Sequence, residues 1–282
     1  MSELITEPVH SIIHQSFHSH ERKEPLNGDG FGLAWYVPSL SKEPAIFKDI
    51  TPAWNNINLL SLAGVTESGC VLAHVRAATV GFPVVQLNCH PFSYGPFSFV
   101  HNGKVGGFKR VRRALLGRLS DEAFSSIKGS TDSEHVFALF MDNYRKYQKV
   151  NPDGTPERAD GMATALLTTI AQIEELTEEA GIEERSVLNV AVTDGTSAVV
   201  SRYINRDPAD AATLYIHSDG CFSCVDGEFT VKEARADSRA VIVASEPLNT
   251  SDGWRAVEAN SMVILREDLT VSTRKIGETL AP

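Results

Sequence analysis

Apolar residues recur at helical spacing in four stretches of the chain. Val9, Ile12, Ile13 and Phe17 form the first, and Phe108, Val111, Leu115 and Leu119 the second. Val136, Phe137, Leu139 and Phe140 form the third, and Met162, Leu166, Ile170 and Ile173 the fourth. Steps of three and four residues place such positions on one face of a helix. The third stretch follows Thr131-Asp-Ser-Glu134, a capping-box spelling in which two side chains satisfy open N–H groups of the first turn, so a helix start is predicted near Thr131. Runs rich in Val, Ile and aromatic residues predict strands at 31–37, 70–77, 97–101, 187–193, 197–203, 214–217, 240–244 and 262–265. Asp194-Gly195 between two of these runs is a two-residue hairpin signal and implies antiparallel pairing. Strands come in hairpins and helices in separate runs, without regular βαβ alternation, which predicts an α+β fold with mainly antiparallel sheet.

No repeat or low-complexity tract interrupts the pattern, so a single domain over 1–282 is expected. The most linker-like stretch, 149–161, separates the last two helices and reads as a surface loop. With 42% hydrophobic and 22% charged residues the composition is that of a globular protein. No apolar run approaches the roughly 18 residues that span a bilayer. The N-terminus is acidic where a signal peptide needs positive charge, so no export is expected. Four scattered cysteines, Cys70, Cys89, Cys221 and Cys224, do not make a disulfide scaffold and favour a reducing, cytoplasmic setting. A net charge of -10 opposes general attraction to nucleic acid or anionic membranes. Lys109, Arg110, Arg112, Arg113 and Arg118 run against that balance on the polar side of the second helix, and read as a solvated face.

Three polar clusters stand at predicted strand ends or helix starts: His74-Val-Arg76-Ala-Ala-Thr79, His101-Asn102-Gly103 and Ser130-Thr-Asp132-Ser-Glu134. An Arg at a strand end offers a planar fork to a carboxylate, Asn-Gly offers a side-chain amide and a backbone N–H to an oxyanion, and an Asp at a helix start can hold an ammonium group. Together they fit the backbone end of an amino acid. Singly, each has a plainer reading: a surface ion pair, a turn, a helix cap. His74, His90 and His101 are compatible with a three-His metal site, but satisfied structural histidines are the preferred reading, and no metal or cofactor is expected. Cys221-Phe-Ser-Cys224 lacks a second pair and reads as ordinary loop cysteines.

In order and context these clusters resemble the glutaminase domain of class II glutamine amidotransferases, which are N-terminal-nucleophile hydrolases. The matching segments are Leu26-Asn-Gly-Asp-Gly-Phe-Gly-Leu-Ala-Trp-Tyr36, Ala73-His-Val-Arg-Ala-Ala-Thr79, Asn88-Cys-His-Pro-Phe92, Val100-His-Asn-Gly103, Gly129-Ser-Thr-Asp-Ser-Glu134 and Val243-Ala-Ser-Glu-Pro-Leu248. Pro8-Val-His-Ser-Ile-Ile-His-Gln-Ser-Phe17 and Ile50-Thr-Pro-Ala-Trp-Asn-Asn56 look closest to the branch that holds the amidotransferase-like subunit of the fungal glutathione-degradation complex. The resemblance implies a four-layer αββα fold with two stacked antiparallel sheets. It implies that Arg76, with Thr79 beside it, binds the α-carboxylate of a γ-glutamyl group and that Asp132 binds its α-ammonium. Asn102 and the N–H of Gly103 would hold the tetrahedral oxyanion. The ligand would be glutamine or glutathione, whose γ-glutamyl ends are alike, and the partner a metallopeptidase-like subunit.

In this family the nucleophile is a cysteine next to the initiator Met, activated by its own α-amino group, whose pKa lies near about 8. This chain begins Met1-Ser2-Glu3-Leu4-Ile5 and matches the family from a point inside its usual start. The fold is therefore expected to lack its first strand. Three explanations follow: initiation lies further upstream, the chain is a nucleophile-free paralogue that binds γ-glutamyl compounds, or another group has taken over. For the last, the candidates are Ser2, or Cys89 acting with His90 or His101.

Overall fold

In the computed structural model, residues 1–8, 10–21, 26–78, 83–150, 158–225, 228–233, 239–250 and 252–277 are described, with the side chains of 149–150, 219, 221–225 and 228–233 left aside. The chain divides into two compact units, Met1–Val100 with Thr213–Val257 and His101–Ala212 with Glu258–Pro282. Among the described residues no helix is long and apolar enough to cross a membrane.

The first unit opens with two short helices, α1 (Ser2–Ile5) and α2 (Ile12–Phe17). Strands β1 (Phe31–Trp35) and β2 (Ala45–Asp49), helix α3 (Ile57–Val65) and strand β3 (Val71–Val75) follow. β1 is the central strand, antiparallel to both neighbours in the order β2-β1-β3, with Phe31 opposite Val75. Ile5, Phe31, Leu33, Ala53 and Leu59 form the core beneath it, and Ile12, Ile13, Val71 and Val75 pack against that core. β4 (Phe92–Tyr94) makes a hairpin with the first half of β5 (Phe97–Lys104).

From His101 onward β5 belongs to the second unit. Helices α4 (Phe108–Leu116), α5 (Asp121–Ser126), α6 (Asp132–Val150) and α7 (Arg158–Glu179) come next. Strands β6 (Val187–Thr193) and β7 (Ala198–Arg202) follow them. Met162, Leu166, Ile170 and Ile173 of α7 are all buried, as their spacing requires. β6 is buried along nearly its whole length, which its run of apolar residues on both faces reflects.

The chain then returns to the first unit as β8 (Tyr215–Val225), β9 (Glu228–Glu233), β10 (Ala240–Ala244) and β11 (Arg255–Ala256). These form an antiparallel sheet in which β10 and β11 flank β8, and β9 pairs with β8. The second unit closes with the hairpin of β12 (Ser261–Leu265) and β13 (Val271–Lys275), and β12 also pairs with β7. The order through that sheet is β13-β12-β7-β6-β5-β4.

The α+β class and the antiparallel pairing are as the sequence predicts. The hairpin signal differs in detail: Thr193 pairs with Ala198, so the turn has four residues, Asp194 to Ser197. The reason is Asp194, whose Oδ1 accepts from the N–H groups of Thr196 and Ser197 and from the Thr196 hydroxyl, building an Asx-type turn. The capping box is half made. Glu134 N–H donates to Thr131 Oγ1, but the Glu134 carboxylate turns back to Lys128 and Gly129 N–H. The predicted loop at 149–161 shrinks, because α6 runs to Val150 and α7 begins at Arg158, and 151–157 lie outside the described residues.

Candidate functional site

In the first unit, Arg76 follows directly on β3. Its N–H donates to Gly30 O at 2.9 Å, and its carbonyl accepts from Asp29 N–H at 2.9 Å, so the Gly28-Asp29-Gly30 turn extends the β1–β3 ladder to the arginine. Asp29 Oδ2 then accepts the N–H of Ala78 at 2.7 Å, which fixes the chain on the far side of Arg76. Gly30 has a φ of 111°, and a Cβ there would stand 2.7 Å from Asp49 O and 2.9 Å from the Cys89 sulfur, so glycine is required on two counts. Thr79, expected beside Arg76, lies outside the described residues.

Arg76 is only 5% exposed. Its Nη1 reaches Asp29 O at 3.5 Å and its guanidinium adjoins the Cys89 thiol. Among the described residues no carboxylate forms an ion pair with it. A buried guanidinium is ordinarily paired, and one with an open fork is suited to receive a carboxylate from a ligand.

In the second unit, β5 carries His101, Asn102 and Gly103. Asn102 and Gly103 are exposed, and the Asn102 amide makes no hydrogen bond to a described residue. Position 103 admits only glycine, because a Cβ would lie 2.0 Å from Val187 O and 2.8 Å from His101 Nε2. His101 is buried at 2% exposure, with Nδ1 3.0 Å from Ser133 Oγ and Nε2 2.9 Å from Val187 O. Asp132 opens α6 and is 7% exposed, its Oδ2 accepting Val105 N–H at 2.8 Å and its Oδ1 accepting Ser133 N–H at 2.9 Å. The first of these contacts ties Asp132 to Val105, the residue that follows β5. An Asp132 carboxylate at a helix start and an exposed Asn102 amide are groups of the kind that can hold an ammonium group and an oxyanion.

The other sequence candidates have structural roles. His101 uses both ring nitrogens within the protein and has none left for a metal, and among the described residues no three His, Cys, Asp or Glu side chains form a metal site. The rings of His74 and His90 pack 4.3 Å apart. Cys89 is fully buried, and burial pushes its thiol up despite the pull of Arg76 and Lys48, so it is packing rather than a nucleophile. Ser2 opens α1. The Cys221 and Cys224 side chains lie outside the described residues. The basic face of α4 is solvated as expected, with Lys109, Arg110, Arg112 and Arg113 exposed; Arg110 donates to Ala180 O and Arg112 to His135 Nε2, and Arg118, just past the helix, bridges to Glu175 and Glu179.

Sequence reasoning missed three features. Asp29 is a hidden strut, signalled only by a carboxylate set between two glycines. Glu246 is buried and accepts from the Ser19 hydroxyl and from His20 and Glu21 N–H, fastening the segment after α2 to the loop after β10. Above that anchor His10, His14, His18 and His20 stack edge to face, with centroid distances of 4.8 Å for His10–His20 and 5.4 Å for His14–His18. Burial and the neighbouring imidazoles lower the pKa of His10 and His14.

Comparison with known proteins places the whole chain. A family model described as "Glutamine amidotransferases class-II" matches residues 1–279. A Saccharomyces cerevisiae protein named "Probable glutamine amidotransferase DUG3" is 44% identical over 95% of this chain and 78% of its own length. The Mycolicibacterium smegmatis "Gamma-glutamyl-hercynylcysteine sulfoxide hydrolase" is 24% identical over 97% of this chain and 93% of its own. Among solved structures, a glutamine aminotransferase class-II domain protein from Silicibacter pomeroyi superposes with a TM-score of 0.65 at 28% identity, covering 88% of this chain and 92% of the other. The glutamine phosphoribosylpyrophosphate amidotransferase of Bacillus subtilis superposes with a TM-score of 0.53 at 14% identity, over 90% of this chain and 44% of that one, a likeness of fold alone.

Proposed function

The chain belongs to the class II glutamine amidotransferase family and has its N-terminal-nucleophile hydrolase fold, and from that premise we propose that it acts on γ-glutamyl amide bonds, as a hydrolase of glutathione or a related γ-glutamyl peptide. The observation that carries the reading is the buried guanidinium of Arg76, which has no carboxylate partner among the described residues. Its fork takes the α-carboxylate of the γ-glutamyl group, a role in which Thr79 is proposed to share. Asp132 takes the α-ammonium. The Asn102 amide and the Gly103 N–H receive the oxyanion that forms when the γ-carbonyl becomes tetrahedral, and loss of one such donor typically costs about 10² to 10³ in rate. Clamps of this kind hold the γ-glutamyl end alone, so the leaving amine can be ammonia or a larger peptide amine.

The names of two relatives support this choice of bond: one is a probable glutamine amidotransferase and the other a hydrolase of a γ-glutamyl compound. The proposed setting is the cytoplasm, and the proposed partner a metallopeptidase-like subunit that takes the released dipeptide. The alternative reading is a γ-glutamyl-binding subunit that does not hydrolyse its ligand.

Titration calorimetry with L-glutamate and glutathione, paired with mass spectrometry of released Cys-Gly, separates the readings. Binding with release supports the hydrolase, and binding without release supports the binding subunit. Absence of binding, or binding unchanged by loss of Arg76, refutes both.

A further inference from the structure

The roles given to Asp132, Asn102 and Gly103 leave His101 and Ser133 unexplained, although both lie in the bonding pattern that joins them. We propose that His101 is a positioning residue that orients the Ser133 hydroxyl away from the Asp132 carboxylate while locking the strand of Asn102 and Gly103 to the first turn of α6. This rests on the reading of Asp132 as the ammonium clamp.

The carbonyl contact fixes one proton. Val187 O can only accept, so the nitrogen facing it at 2.9 Å, Nε2 of His101, carries the hydrogen. In the neutral ring Nδ1 is then an acceptor and takes the Ser133 hydroxyl proton across 3.0 Å. A hydroxyl has one proton to give. Ser133 Oγ also stands 3.4 Å from Asp132 Oδ1, but with its proton committed to His101 it does not occupy that oxygen. Each Asp132 oxygen therefore holds one backbone donor, Ser133 N–H on Oδ1 and Val105 N–H on Oδ2. An ionised carboxylate accepts about four hydrogen bonds, so each oxygen keeps a place for an ammonium group. Without an acceptor at position 101 the Ser133 hydroxyl swings to Oδ1 and fills one of those places.

The other end of the imidazole is set against the oxyanion strand. Val187 O, which accepts from Nε2, is the atom that a Cβ at 103 would meet at 2.0 Å, so ring, carbonyl and glycine share one contact. The imidazole thus holds β5 against β6 with one nitrogen and α6 with the other.

Two conservative variants separate these functions in the full chain. Asn places an acceptor where Nδ1 lies, and Gln places a donor where Nε2 lies. His101→Asn keeps the Ser133 bond and binds L-glutamate within about twofold of the parent, whereas His101→Gln frees the hydroxyl and binds about tenfold more weakly, the worth of one hydrogen bond. Adding Ser133→Ala to His101→Gln removes the competing hydroxyl and restores affinity to the His101→Asn level. Equal losses in the two single variants, or no recovery in the double variant, overturn the proposal. Long-range ¹H–¹⁵N spectra of the parent protein give a reading that needs neither folded variants nor ligand: His101 shows the Nε2–H tautomer, and the Nδ1–H tautomer overturns the proposal. If the parent binds no γ-glutamyl ligand, the assignment of Asp132 falls, and the spectrum still decides the role of His101.

Discussion

Replacing Arg76 by methionine tests the site where its logic is most exposed. The guanidinium is 5% exposed and lacks a carboxylate partner among the described residues. In the unliganded protein it therefore bears a desolvation cost that no ion pair with a described residue repays. Methionine keeps most of the chain length and removes the charge, so the variant sheds that desolvation cost. The bound α-carboxylate, by contrast, loses a two-point contact of charge-assisted hydrogen bonds worth about 1.5–3 kcal/mol each, or about 3–6 kcal/mol together. That weakens Kd by about two to four orders of magnitude. The expected signature is divergent: unliganded denaturation midpoints at or above those of the parent, and no stabilisation by L-glutamate in the same assay. Arg76→Lys keeps the charge without the planar fork and falls between the two. The reasoning is refuted if Arg76→Met binds L-glutamate within tenfold of the parent. It is refuted equally if the unliganded variant loses the 3–5 kcal/mol that breaking a buried ion pair costs.

Other outcomes follow from the same contacts. Gly103→Ala drives a Cβ to 2.0 Å from Val187 O, so β5 must shift; a stability loss of at least about 1–3 kcal/mol is expected by denaturant titration, together with lost binding, and unchanged stability would contradict the contact. Glu246→Ala removes the acceptor of the Ser19 hydroxyl and of two backbone N–H groups, and hydrogen exchange should show residues 10–21 opening while β1 stays protected; equal loss in both would point to a global role. Acid should loosen the same segment. Burial, and then the neighbouring imidazoles, lower His10 and His14, while Glu246 opposes them, so the unfolded segment binds more protons than the folded one. Stability from these groups is complete above the unfolded value of about 6.5 and is lost as pH falls below it toward the lowered folded values. Exchange protection of 10–21 measured at neutral pH and in mild acid checks this, and an acid-insensitive or acid-strengthened segment contradicts it.

How far the sequence reaches can be seen element by element. Periodicity located α7 and the buried face of Met162, Leu166, Ile170 and Ile173, because burial of a long amphipathic helix is written into its own spacing. It located β6 and β10 to the residue, since Val-rich runs bounded by polar turns have few alternatives. It did not find β2, β13 or α3. These depend on neighbours: β2 and β13 are edge strands of mixed polarity that are defined by pairing with β1 and β12, and α3 has only Leu59 and Ala63 buried.

The candidate site divides the same way. The identities of Arg76, Asn102, Gly103 and Asp132 and their order along the chain were legible, because each chemistry demands a residue type that the sequence states outright. Their supports were not. Asp29 holds the backbone beyond Arg76 from 49 positions upstream, and His101 meets Val187 across 86 positions. Glu246 anchors Ser19 across 227. Contacts of that range leave no periodicity and no local spelling, since they are selected by how strands and helices come to lie together. The sequence alone named the groups proposed to face a ligand. Folding decided that Arg76 stands buried without a carboxylate partner among the described residues, that the His101 imidazole lies against the Ser133 hydroxyl, and that Gly103 is held against a carbonyl. Those facts depend on the distances between segments that only the tertiary packing sets.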